Sequence, residues 1–98
     1  MKRFVLTSPA VRDLDLIKNY LVKFGRPGTA RRVMNDIRAA IVFISREPGA
    51  GHVREDLTGL ALKFWPVYSY LVVYEPETKP VQIVRVLHGM RDLESILH

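Results

Sequence analysis

Apolar positions follow one period in the first half of the chain and another in the second. Lys2–Thr7 opens with Phe4 and Leu6 alternating with Arg3 and Val5, which predicts a short strand. Ser8 is then a suitable N-cap, and Pro9 fits the first helical position, where its missing N–H costs nothing. Ala10, Leu14, Ile17, Leu21 and Phe24 recur at spacings of four and three, one apolar face of an amphipathic helix. Gly25 suits a left-handed helix end, and Pro27 prevents continuation. Thr29 opens a second helix with Val33, Ile37, Ala40, Ile41 and Ile44 on its face, closed by Pro48. Two helices joined by so short a Gly/Pro link predict an antiparallel hairpin.

Residues 48–59 carry three glycines, one proline and three charges and read as loop. The period then shortens. Leu60–Trp65 alternates, Pro66 marks a break or turn, and Val67–Tyr74 is dense in β-branched and aromatic residues. Glu75–Pro80 is a turn by composition, and Val81–Leu87 is a further strand. Asp92 can cap a last short helix carrying Leu93, Ile96 and Leu97. The order β-α-α-β-β-β with a short C-terminal helix predicts an α+β fold. A helical hairpin packs on one face of a mainly antiparallel sheet. With 98 residues there is room for a single domain spanning 1–98.

Composition narrows the function classes. The longest apolar run, Ala39–Ile44, is six residues, far below the roughly 20 of a membrane helix. The N-terminus lacks a secretory apolar stretch, and the chain has no cysteine, so a cytoplasmic protein is expected. His52, His88 and His98 are scattered without metal-ligand spacing, and no metal or other cofactor is expected.

Charge changes the picture further. The net charge is +5, but residues 1–49 hold ten basic and four acidic side chains, whereas residues 50–98 hold five and six. A basic half implies an acidic partner, either nucleic acid or an acidic protein segment. The hairpin carries Lys18, Lys23, Arg26, Arg31, Arg32 and Arg38, a stripe that suits phosphates or an acidic peptide and equally suits solvent. A second constellation closes the last strand, Arg85-Val-Leu-His-Gly-Met-Arg-Asp92. His88 has the chemistry of a general acid or base, and Arg85 that of a phosphoryl-charge stabiliser. In a straight strand these two point to opposite faces, which favours structural roles: a carboxylate partner for Arg85 and a corner-fixing role for His88. Trp65, Tyr68, Tyr70 and Tyr74 have rings on which bases can stack, but packing is expected for all four.

Two blocks, Lys63-Phe-Trp-Pro-Val-Tyr-Ser-Tyr-Leu-Val-Val-Tyr74 and Ile83-Val-Arg-Val-Leu-His-Gly-Met-Arg-Asp-Leu93, resemble the C-terminal half of the RelE/ParE toxin superfamily. Leu6-Thr-Ser-Pro-Ala10, then Leu14, Ile17 and Tyr20, and Ala30 through Ile41 resemble its helical hairpin. The Val-Arg-Val-Leu-His-Gly-Met-Arg-Asp string resembles the ParE-like branch in particular. The resemblance implies the toxin of a type II toxin–antitoxin pair, a growth inhibitor in a hetero-oligomer with a ParD-like antitoxin whose acidic C-terminal segment neutralises it. ParE-like members inhibit DNA gyrase in its complex with DNA, without known catalysis. RelE-like members cut ribosome-bound mRNA, and that alternative assigns Lys63, Arg85 and His88 to catalysis. The chain ends without the tyrosine typical of RelE-like members, so the resemblance favours gyrase inhibition and a non-enzymatic toxin. Antitoxin or target binding then falls to Lys18, Lys23, Arg31, Arg32, Arg38, Arg85 and Arg91.

Overall fold

The computed structural model describes residues 4–54 and 59–89. Its elements are β1 (Phe4–Leu6), α1 (Ser8–Phe24), α2 (Thr29–Arg46), a 3-10 turn at Pro48–Ala50, β2 (Lys63–Val67), β3 (Tyr70–Glu75) and β4 (Val81–His88). The β-α-α-β-β-β order matches the expectation. The C-terminal helix expected from Asp92 lies outside the described residues. No described helix is long and apolar enough to cross a membrane.

The sheet is mixed, in the order β1-β4-β3-β2. β1 runs parallel to β4, and the other two pairings are antiparallel. The predicted helical stripes face this sheet, except that Phe24, at the end of the first, is exposed. Ala10, Ile17, Val33, Ile37, Ile41 and Ile44 pack with Tyr70, Val72, Tyr74, Val81, Ile83 and Val86 in one buried cluster. Leu62, Phe64, Val73 and Leu87 form a second cluster, with Leu71 and Val84 against it.

Tertiary contacts shift several local features. The α1 N-cap is Thr7, not Ser8: its Oγ1 accepts from the Ala10 N–H at 3.2 Å and donates to the Val84 carbonyl at 2.7 Å. One hydroxyl thus caps the helix and ties it to β4, which Ser8 is not placed to do. Gly25 is extended rather than left-handed, and the left-handed residue is Gly28, with φ 86°. Glycine is still required at 25, because a Cβ there would lie 2.5 Å from the Leu21 carbonyl oxygen. Pro66 does not break β2. It pairs with Leu71 at the edge of the sheet, where a missing N–H is tolerated. The turn comes two residues later, at Tyr68-Ser69, with Tyr68 at φ 55°.

β4 is not straight. Val73 pairs with Arg85 and Tyr74 with Ile83, which leaves Val84 as an extra residue. Simple alternation is therefore reset within the strand.

Candidate partner-docking site

Helix geometry puts Asp13, Leu16, Tyr20 and Lys23 along one flank of α1, beside the buried stripe. Across from this flank stand Arg85, Val86 and His88 of β4, with Tyr70 of β3. Between them lies a cavity of about 570 Å³. Its strand side is ordered by the Tyr70–His88 pair, whose rings meet edge to face at 5.2 Å. Arg85 and His88 both line this cavity, although pairing from Arg85 to His88 is regular and alternation was expected to keep them apart.

Arg85 is engaged by a carboxylate. Its Nε donates to Asp13 Oδ2 at 2.7 Å and its Nη2 to Oδ1 at 3.0 Å, a bidentate pair. The Val86 N–H donates to the same Oδ2 at 2.9 Å. Asp13 therefore neutralises the guanidinium and fixes its plane, so Arg85 shapes the cavity wall more than it supplies a mobile charge. A carboxylate partner for Arg85 was expected from its place in the strand, but not its identity as Asp13. The available signal was an acidic residue flanked by inward-facing Ala10, Leu14 and Ile17.

At the mouth of the cavity, α1 exposes apolar side chains at successive turns. Leu16, Tyr20 and Phe24 are 62%, 55% and 65% exposed. The Tyr20 and Phe24 rings meet at 5.0 Å, and the Lys23 ammonium sits 5.3 Å from the Phe24 ring centre. An apolar stripe of this size beside a cavity and a cation has the chemistry of a protein-binding groove.

The remaining sequence candidates are dispersed. Lys18 is exposed on α1, and Arg31, Arg32 and Arg38 are exposed on α2. Of the basic residues on the hairpin, Lys23 lines the cavity. Arg91 lies outside the described residues. Lys63 is on β2, separated from β4 by β3, hence roughly 10 Å from it across the sheet. Its Nζ donates to the Gly49 carbonyl at 3.1 Å, away from the cavity. Arg85 and His88 thus share a site that Lys63 does not line.

Two tyrosines hold loops. Tyr74 is buried in the sheet, and its hydroxyl donates to the Pro48 carbonyl at 2.7 Å and accepts from the Gly51 N–H at 2.9 Å. Burial raises its pKa, partly opposed by the Gly51 hydrogen bond. Tyr68 is exposed, so packing in the core holds for Tyr70 and Tyr74 but not for it. Its hydroxyl donates to Asp36 on α2, and this bond raises its pKa.

A family model described as the ParE toxin of the type II toxin–antitoxin system parDE matches residues 4–93. No individual curated protein matches significantly. Among solved structures, the chromosomal ParDE toxin–antitoxin system from P. aeruginosa is similar, with TM-score 0.70 and 21% identity. That match covers 88% of this chain and 94% of the other, and at this identity it bears on the fold.

Proposed function

The chain belongs to the ParE toxin family of type II toxin–antitoxin systems, and from that premise we propose that it inhibits DNA gyrase and is neutralised by a ParD-type antitoxin bound at the α1–β4 cavity. The observation that carries the antitoxin half is the exposed Leu16, Tyr20 and Phe24 stripe beside a cavity rimmed by Lys23. An amphipathic acidic segment can bury apolar side chains there while its carboxylates meet the basic hairpin. The similar solved structure is of a ParDE system, which supports a partner of ParD type.

The gyrase half rests on family membership and on the state of Arg85. A residue that stabilises phosphoryl charge must present its guanidinium to substrate. Here Asp13 occupies that guanidinium with two hydrogen bonds, which favours an interaction toxin over an RNase. The test is tightly controlled expression in a bacterial host, with growth, gyrase–DNA cleavage complexes and mRNA integrity followed together. The expected outcome is growth arrest with gyrase inhibited, bulk mRNA intact, and relief on antitoxin co-expression. Ribosome-dependent mRNA cuts with normal gyrase activity would assign the toxin to the other branch, and normal growth would leave antitoxin binding as its remaining activity.

A further inference from the structure

On the flank formed by α2 and β2, away from the cavity on α1 and β4, aromatic rings and cations alternate. Trp65 lies beside Phe43, with ring centres 5.3 Å apart, and parallel to His52 within 4° at 6.2 Å. Phe43 and Tyr68 are 44% and 62% exposed, and His52 is exposed as well. Arg46 follows Phe43 by one helical turn, and Lys63 precedes Trp65 by two residues, on the same strand face. Arg32 lies at the far end, close enough to Tyr68 to act on its ionisation. The neighbouring carboxylate of Asp36 accepts the Tyr68 hydroxyl proton, so it is engaged within the fold.

A protein strand is a poor occupant here. β2 is an edge strand, but Phe64 already exchanges both backbone hydrogen bonds with His52, at 2.9 and 2.8 Å. Pro66 offers no N–H. The edge is closed to strand addition, whereas flat exposed rings flanked by cations suit stacked bases and their phosphates.

We propose that this flank binds a short run of unpaired nucleotides, with bases stacking on the Phe43–Trp65–His52 group and on Tyr68, and phosphates facing Arg32, Arg46 and Lys63. From Arg32 to Arg46 the helix rises about 21 Å, room for about four nucleotides, at the low end for single-strand binders. The inference does not depend on gyrase being the target. Its ring cluster lies away from the α1–β4 cavity, and Arg32 is the one side chain both readings invoke. Loss of oligonucleotide binding on Phe43→Ala therefore leaves the antitoxin reading intact.

Trp65 is the only tryptophan in the chain and sits within the site, so its emission reports stacking directly. The full-length protein is titrated with thymidine and uridine oligonucleotides of roughly 12 nucleotides, a duplex of the same length and a poly-glutamate peptide. The expected result is saturable quenching by a single strand, with affinity falling about tenfold or more from low to moderate salt. The DNA and RNA arms distinguish which backbone is preferred. Phe43→Ala and Arg46→Glu each weaken binding by about tenfold, while Arg12→Gln, at an exposed position on α1 outside both sites, leaves it unchanged. Arg46→Glu alters an exposed side chain and keeps every ring, so its effect is separable from folding. Absence of single-strand quenching, equal quenching by poly-glutamate or the duplex, or equal loss in the α1 variant would overturn the proposal.

Discussion

Asp13 and Arg85, 72 positions apart in the chain, are joined by two parallel hydrogen bonds of 2.7 and 3.0 Å. The pair fastens the first helix to the last strand at the wall of the cavity. Asp13 also accepts the Val86 N–H, so it serves the backbone of β4 as well as the Arg85 side chain.

Arg85→Ala should therefore give a graded loss, with stability falling by about 1–3 kcal/mol. Asp13→Ala should cost at least as much, because it also strips a hydrogen bond from the Val86 N–H. Urea unfolding of both single variants and the double variant measures the coupling. Toxicity abolished by Arg85→Ala, with unchanged melting temperature and antitoxin binding, would instead make Arg85 a catalytic group.

The apolar stripe on α1 should govern antitoxin affinity. Tyr20→Asp or Leu16→Asp is expected to weaken the complex by about 2 kcal/mol or more, the level of an interface hot spot. Both residues are more than half exposed, so the fold of the isolated toxin should survive. Calorimetric titration and circular dichroism check the two halves of this statement. If Lys18, Lys23, Arg31, Arg32 and Arg38 steer the acidic segment, the association rate should also fall more than about tenfold from low to high salt.

Thr7→Ala should destabilise the protein by about 1–2 kcal/mol, whereas Ser8→Ala should be nearly neutral. Thr7→Ser keeps the hydroxyl that caps α1 and binds the Val84 carbonyl, and should recover most of the loss. Thermal denaturation of the three variants distinguishes the observed cap from the one the sequence suggested.

Tyr74→Phe should cost about 1–2 kcal/mol, because it leaves the Pro48 carbonyl and Gly51 N–H without their side-chain partner. Gly51→Ala should cost more, since a Cβ there would overlap the Tyr74 ring and hydroxyl. Denaturant midpoints at equal m-value test the order.

Alkaline titration follows from the same two tyrosines. Burial raises the Tyr74 pKa, and the bond to Asp36 raises that of Tyr68. Above the ordinary tyrosine value of about 10, the unfolded chain releases phenolic protons that the folded chain keeps. Stability from these groups is therefore complete below that pH and is lost as pH rises through the folded values. Tyr74→Phe should flatten the decline in stability above about pH 10. Ultraviolet titration of the wild type and of Tyr74→Phe should show that the variant loses a phenol ionising above the ordinary tyrosine range.

Local sequence determined the element order, because it is written in the spacing of side chains a few residues apart. The Ala10–Leu21 and Val33–Ile44 stripes could be read as helices and the Val81–Leu87 run as a strand. The carboxylate partner of Arg85 was expected as a type of residue. Its identity as Asp13 required the chain to close over 72 positions. Neither the extra residue at Val84 nor the assembly of Arg85 and His88 at one cavity is a local property, since the first depends on how β4 registers against β3 and the second on how α1 packs across β4. The same holds for Thr7, whose hydroxyl reaches Val84, and for Tyr68, exposed in the β2–β3 turn with its hydroxyl on Asp36 of α2. Periodicity fixes which face of an element is apolar. Hydrogen bonds between distant segments decide which polar groups meet, and only the folded chain brings those segments together.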